Sequence, residues 1–265
     1  MTQAQTTTSQ SATQNIKRLS VQISLTGLSF LLEFEDSSNW YYNHPLASGL
    51  NPGDVLIQLQ EIIQSKPEFQ QKAQDVVIVY HHATFCWVPK ALLNPDNLAD
   101  YLKYNAKLLS QDYLDYDVLE ARDMVNVYVP FTNVNNYIFD RYGDFTFLHA
   151  ATVFLAAIAK EYPSQQTQVI ANLQQGELLL AITDQQKVLL INSYKVTSPE
   201  DFAYYLLFAM QQHNLDGDNI PLHLSGDIKK GDPFYELAYR YVREVSVLSE
   251  DNEPLLLKNV AQACE

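Results

Sequence analysis

Four stretches of the chain carry side chains of the kinds that do chemistry. In YHHATFCW (residues 80–87), His81, His82 and Cys86 have the donor types of a zinc site, and Cys86 those of a nucleophile. Zinc needs about four converging ligands, and adjacent residues on a strand face opposite ways. A thiol nucleophile needs a setting that lowers its pKa. The stretch therefore reads as core or turn histidines. Asp112, Asp115, Asp117 and Glu120 offer carboxylates for a cation. Carboxylates alone do not fix a ligand geometry, so residues 111–123 are expected to form a solvated, irregular loop. Asn214, Asp216 and Asp218 begin like a calcium loop. The glycine that loop requires falls on Asn219 and its closing glutamate on Ser225, which leaves a plain helix-to-strand turn. In IPLHLSGDIKKG (residues 220–231) an apolar run ends at Ser225-Gly226, and a helix start follows at Asp232-Pro233. Strand, glycine turn and helix are the shape of half a nucleotide site, but the turn alone accounts for Gly226. No Gly-x-Ser-x-Gly elbow or Walker loop is present, and no carboxylate pair is placed for acid–base work.

The chain has 265 residues, 47% of them apolar, with 17 Tyr and 12 Phe, which is ample for a packed core. Its formal net charge is −14. A nucleic-acid binder clusters Lys and Arg, whereas the densest basic pair here, Lys229-Lys230, lies between Asp227 and Asp232. Nucleic acid and anionic lipid are thus poor partners, and an unknown protein is the expected one. Two cysteines, Cys86 and Cys264, make no disulfide framework. Residues 1–15 lack the apolar region of a secretory signal, and no stretch approaches a membrane span. The expectation is a cytoplasmic protein with no membrane insertion and a short disordered tail over residues 1–15.

The elements that must position these residues can be read from the apolar pattern. Residues 19–34 alternate about Thr26-Gly27, as two strands and a tight turn do. A third strand is read over residues 39–43. Asn51-Pro52 starts a helix striped by Val55, Leu56, Leu59, Ile62 and Ile63. Strands are expected at residues 75–80, 84–88 and 123–130. Asn94-Pro95 starts a helix with Leu98, Tyr101, Leu102 and Leu109 inward, and residues 147–163 read as a small-residue apolar helix. The second half is plainer, with three strands between Thr167 and Val196. Next comes a helix capped by Ser198, with Pro199 first, Asp201 near the capping-box position, and Phe202, Tyr205, Leu206, Ala209 and Met210 inward. A strand at 220–224, a helix at 232–242, a strand at 244–248 and a helix near 255–263 complete the order βββαβαβα. The first half opens in the same style and carries extra material between Tyr80 and Pro163. Two such halves, each a sheet with helices packed on it, make a duplicated α/β architecture.

That order, and the texture of VLLINSYKVTSPEDFAYYLLFAMQQHNLDGDNIPLHLSGDI in the second half, resemble the actin-like ATPase superfamily. Residues 16–265, with the ending LLLKNVAQACE, are similar to an uncharacterised family of Bacteroidetes proteins of that fold. The resemblance implies an α/β, duplicated actin-like (ribonuclease H-like) two-domain architecture of mixed sheets flanked by helices. Residues 16–163 would form the first half, with an insertion, and residues 164–265 the second. It also implies where nucleotide chemistry would lie. Each half of a superfamily member opens with an Asp-x-Gly-Thr-like hairpin, whose aspartate serves hydrated Mg²⁺ and whose glycine admits phosphate. On this alignment Ser24 and Thr26 replace Asp and Gly in the first hairpin, and Asn172 and Gln174 replace them in the second. The adenosine-side Gly-Gly becomes Ser225-Gly226, followed by Asp227. With both anions and both close-approach glycines replaced, the resemblance implies a non-catalytic scaffold or protein-interaction protein with a degenerate nucleotide site and no cofactor. The alternative is a divergent actin-like ATPase or small-molecule kinase that uses ATP with Mg²⁺ through other acids, for which Asp36, Asp54 and Asp227 are the spare candidates.

Overall fold

The computed structural model describes residues 15–104, 106–109, 112–185, 187–248 and 254–264. Apart from Asn15, the expected N-terminal tail lies outside the described residues. The elements of the described residues begin with β1 (Ile16–Ile23), β2 (Gly27–Phe34) and β3 (Asn39–Pro45), followed by α1 (Pro52–Ser65) and β4 (Ala73–Tyr80). The Asn51 side chain accepts from the Gly53 and Asp54 N–H groups while Asp54 accepts from the Asn51 N–H. This reciprocal cap satisfies otherwise orphaned donors. Val55, Leu59, Ile62 and Ile63 of α1 are buried as the spacing requires, and Leu56 is half-buried.

The chain then leaves the sheet for β5 (Phe85–Pro89), α2 (Ala99–Leu102), β6 (Asp115–Leu119) and β7 (Met124–Tyr128). These strands pair antiparallel in the order β5-β7-β6 over a small core of Val88, Leu102, Val125 and Val127. α3 (Thr132–Tyr142), β8 (Thr146–His149) and α4 (Ala150–Glu161) return it. The second half runs β9 (Thr167–Gln174), β10 (Glu177–Asp184), β11 (Lys187–Lys195), α5 (Pro199–Gln212), β12 (Leu222–Gly226), α6 (Pro233–Tyr239), β13 (Val245–Val247), α7 (Leu255–Lys258) and α8 (Val260–Ala263).

The described residues thus form two five-stranded mixed sheets of one topology, β3-β2-β1-β4-β8 and β11-β10-β9-β12-β13. In each, an antiparallel three-stranded meander is extended by two parallel strands. α4 is buried from Ala150 to Ile158 on every face, the mark of a helix with structure all round it. Its core contains residues of the first sheet together with Ile170, Leu179 and Ala181 of the second, and the closing helices α7 and α8 join that same core. The last helices of the chain therefore pack into the first core, and a second cluster lies under α5 and α6.

Three expectations change. Residues 115–119 are a strand, not an irregular loop: β7 supplies a partner ladder, and Asp117 and Leu119 face inward. The helix expected after Asn94-Pro95 is a 3₁₀ turn (Pro95–Asn97) followed by the single turn of α2. Leu102 is buried, Leu98 and Tyr101 are half-buried and Leu109 is exposed, because the inserted sheet is too small to cover a longer stripe. The helix expected from residue 147 begins at Ala150, since Thr146–His149 pairs with β4 as β8.

Candidate functional site

The two sheets bring the ends of β1, β9 and β12 together, where the superfamily's phosphate and adenosine turns would lie. Ser24 closes its own turn. Its hydroxyl accepts from the Gly27 N–H at 2.9 Å and the Thr26 N–H at 3.2 Å, donates to the Gly27 carbonyl, and lies 3.0 Å from the Thr26 hydroxyl. A side chain so engaged leaves the turn's donors satisfied from within. At the β9–β10 turn, Gln174 points the other way, into the first half. Its amide donates to Ser29 Oγ at 3.1 Å and to the Tyr41 hydroxyl at 3.2 Å. The Gln175 amide lies over Gly27 and donates to Asn43 Oδ1. Gly27 is needed for that approach, since a Cβ there would collide with the Gln175 amide.

The third corner is Ser225-Gly226-Asp227. Ser225 is buried and donates to Asn172 Oδ1 at 3.0 Å. Gly226 has φ +85, and a Cβ would run into the Leu173 carbonyl, so only glycine fits the turn. Asp227 donates its N–H to that carbonyl at 2.6 Å, and its carboxylate accepts the Gln175 N–H at 2.7 Å. Burial pushes the Asp227 carboxyl above its ordinary value, against the pull of the Gln175 N–H and Lys229. Glu177, the first residue of β10, is pushed up to about 7 by burial, although Lys195 and a hydrogen bond with Thr26 act the other way.

The hairpin register refines the alignment of the two motifs. Gln22 pairs with Ser29 and Ser24 faces Gly27, whereas Asn172 pairs with Leu179 and Gln174 with Glu177. Measured from the turn, the counterpart of Ser24 is Gln174, and the counterpart of Asn172 is Gln22. The sequence motif could not show this, since neither hairpin keeps the residues that would anchor it.

The spare acids divide. Asp54 is spent on the α1 cap. Asp36 lies in the β2–β3 turn, at the other end of the strands, where it accepts from the Ser38 N–H and hydroxyl. Asp227 alone reaches the cleft. Asp216 and Asp218 sit in a turn, Asp216 accepting from the Asp218 N–H at 3.1 Å and from Asn219 at 2.9 Å.

His81 and His82 follow β4 and are both buried. Gln22 donates to His81 Nδ1 at 3.2 Å, Thr84 N–H to His82 Nδ1 at 3.2 Å, and His149 Nε2 to the His82 carbonyl at 3.0 Å. Burial lowers His81 to about 3 and His82 to about 4, and lowers His149 well below the usual histidine range. Burial raises the Cys86 thiol. No group of three or more metal-ligating side chains converges among the described residues. Asp117, expected in solvent, instead caps the start of α4. It accepts from Thr152 Oγ1 at 2.6 Å, the His149 N–H at 2.8 Å and the Tyr128 hydroxyl at 2.9 Å. Burial still pushes its carboxyl up to about 7.

Residues 5–245 match the family model described as protein of unknown function, DUF3822. The chain belongs to this family. Among solved structures it is similar to a Bacteroides thetaiotaomicron protein of actin-like ATPase fold and unknown function. That match has a TM-score of 0.80 at 16% identity and covers 94% of this chain and 96% of that one. The PilM-PilN type IV pilus biogenesis complex matches at TM-score 0.53 and 12% identity, over 94% and 97% of the chains. The ethanolamine utilization protein EutJ from Carboxydothermus hydrogenoformans matches at 0.51 and 11%, over 92% and 88%. No curated protein matches the chain. The fold of this DUF3822 member is that of the actin-like ATPases, with two mixed five-stranded sheets flanked by helices. No helix among its described residues is long and apolar enough to cross a membrane.

Several residues of the site carry no motif signal. Gln22 and Glu177 are ordinary strand-end residues in the sequence, and Gln175 is a turn residue. The placement of Gln175 and Glu177 depends on the meeting of two sheets more than a hundred residues apart, and that of Gln22 on His81 beyond β4. The nearest signal is the glutamine pair at a hairpin turn, where Asn-Gly or Asp-Gly is the common choice.

Proposed function

We propose that this protein is a non-catalytic, actin-like scaffold that binds another protein and has a degenerate nucleotide site. Residues 16–163 and 164–265 are the two halves of the scaffold. Ser24, Thr26, Asn172, Gln174, Ser225, Gly226 and Asp227 are what remains of the phosphate and adenosine turns. The observation that carries this reading is that these positions bond to one another and to the opposite half, through Ser24–Gly27, Gln174–Ser29 and Ser225–Asn172. A tetra-anionic nucleotide normally arrives with Mg²⁺ held by carboxylates. Here Ser24 and Asn172, aligned with those carboxylates, are neutral, and the chain's net charge of −14 opposes the ligand at long range. Tyr204 and Phe208, stacked and exposed on α5, and Tyr239 and Tyr241 at the end of α6 and beyond it are aromatics of the kind interfaces use. The PilM-PilN assembly is a protein complex on a similar fold, which is an analogy of architecture only.

Isothermal titration with Mg-ATP and with adenosine tests the proposal. The expected result is weak binding or none, alike for both ligands and insensitive to Mg²⁺. Mg-dependent binding of ATP in preference to adenosine would overturn it. If Asp227→Asn then abolished that binding, the divergent ATPase or kinase would replace the scaffold.

A further inference from the structure

In hinged two-lobed proteins a ligand bound between the lobes commonly closes them, and its loss lets them part. Here side chains of the chain itself occupy that bridging position. Gln174, buried at the tip of β9, spans from the second sheet to Ser29 on β2 and Tyr41 on β3. Gln175, next along, sits on Gly27 and donates to Asn43 on β3. Ser29 in turn donates to Asn43 at 3.2 Å, so the two glutamines land on one connected polar strip. Thr26 and Glu177 add a contact between the two turns themselves.

The turn is also braced from behind. Gln175 has φ +53, a left-handed conformation costly for a residue with a side chain and kept only where the surroundings over-determine it. One bracing contact is its N–H bond to Asp227. That bond fixes the direction in which the glutamine side chains leave the turn. From there Gln174 reaches Ser29 and Tyr41, and Gln175 reaches Asn43, across to the first half.

We infer that the Gln174–Gln175 turn is a built-in latch, which holds the two halves in one fixed, closed relation with no ligand between them. The inference rests on the reading of the cleft as one that has given up its nucleotide. It adds that closure, otherwise a ligand's task, belongs to the fold. α4, α7 and α8 already join the halves through a shared apolar core. The latch adds to that apolar contact a set of polar bonds at the cleft, between the β9–β10 turn and β2 and β3.

Distances between spin labels at Gln64→Cys, at the end of α1, and Gln212→Cys, at the end of α5, test this in the full chain with Cys86→Ser and Cys264→Ser. The latched chain gives one narrow distance, unchanged by Mg-ATP. Gln174→Ala with Gln175→Ala should broaden the distribution at least about twofold. Ser29→Ala with Tyr41→Phe removes the Gln174 bonds from the opposite side and should broaden it too, should the glutamine variant fail to fold. An equally narrow distribution in a folded latch variant, or a broad one in the parent, overturns the latch. A parent distribution that is broad alone and narrows on adding Mg-ATP overturns the reading of the cleft as well, whereas one that stays broad with Mg-ATP overturns the latch only, so the two failures are distinguishable.

Discussion

At the end of β1 the Gln22 amide donates to His81, while its carbonyl oxygen is buried without a partner. At the end of β9 the Asn172 carbonyl oxygen accepts from Ser225, while its amide nitrogen is buried without a partner. The two residues hold the same place in the two hairpins. The strands beside them match as well: His81 donates its N–H to the Ile23 carbonyl at 2.9 Å as Asp227 does to Leu173. Beyond that point the halves differ. β4 ends at Tyr80 and the chain runs on towards the inserted sheet through His81 and His82, both buried. β12 ends at Gly226, whose positive φ turns the chain back so that Asp227 meets the turn of its own hairpin. A shared topology fixes where strand ends meet, and the segment after each strand decides whether that end becomes core or contact.

The largest effects are expected at the helices that come after the two meanders. Leu59 of α1 and Leu206 of α5 are both fully buried. Alanine at either should cost about 2 to 5 kcal/mol in denaturant unfolding, by lost transfer energy and a residual cavity. A cost below about half a kilocalorie per mole at Leu206 would mean that the second half does not rest on the α5 stripe.

The next effect separates the halves. Gly226→Ala should cost about 1 to 3 kcal/mol for a side chain at positive φ, with the collision against Leu173 added. Its counterpart Tyr80 already carries a large side chain, which is bonded to Asn135 at 2.6 Å. Chemical denaturation of Gly226→Ala at wild-type stability would show that the turn is not held as described.

A pH series tests the buried groups around the insertion. Asp117, raised to about 7, keeps its proton in the folded chain between about pH 4 and 7 while the unfolded chain loses it. Folding stability from this group is therefore full below its unfolded pKa and falls as pH rises towards 7. The three buried histidines, lowered in the fold, work in the opposite sense, costing stability as pH falls below about 6.5. Asp117→Asn should remove the first slope and leave the second, so the variant gains on wild type from about pH 4 to 7. Parallel stability curves for the two proteins would show that Asp117 does not titrate in that window.

Much of this fold is legible in the sequence where local signals agree. α5 is one such case: Ser198 accepts from the Asp201 N–H, Asp201 accepts from Thr197, and Phe202, Leu206 and Met210 are buried. The three strands from Thr167 to Lys195 are another. Signals fail where the partner is distant. Asp117 looks like a solvated acid until β7 and α4 bring Tyr128 and Thr152 to it. α3 has no side-chain cap at Phe131, so nothing local announces its start. At the candidate site, Gly226 and its turn can be read from the sequence. The engagement of Gln174 and Gln175 with the first half cannot, because their partners are set by the meeting of two sheets.

The side-chain amide resonances of Gln174 and Gln175, assigned in nitrogen-15-labelled protein by loss on Gln174→Ala and Gln175→Ala, report most directly on whether this cleft is closed by its own residues. Excess Mg-ATP should leave both resonances where they are, each sharp and protected from solvent exchange. A saturable shift of either resonance that requires Mg²⁺ would place a nucleotide where these glutamines sit and contradict the account.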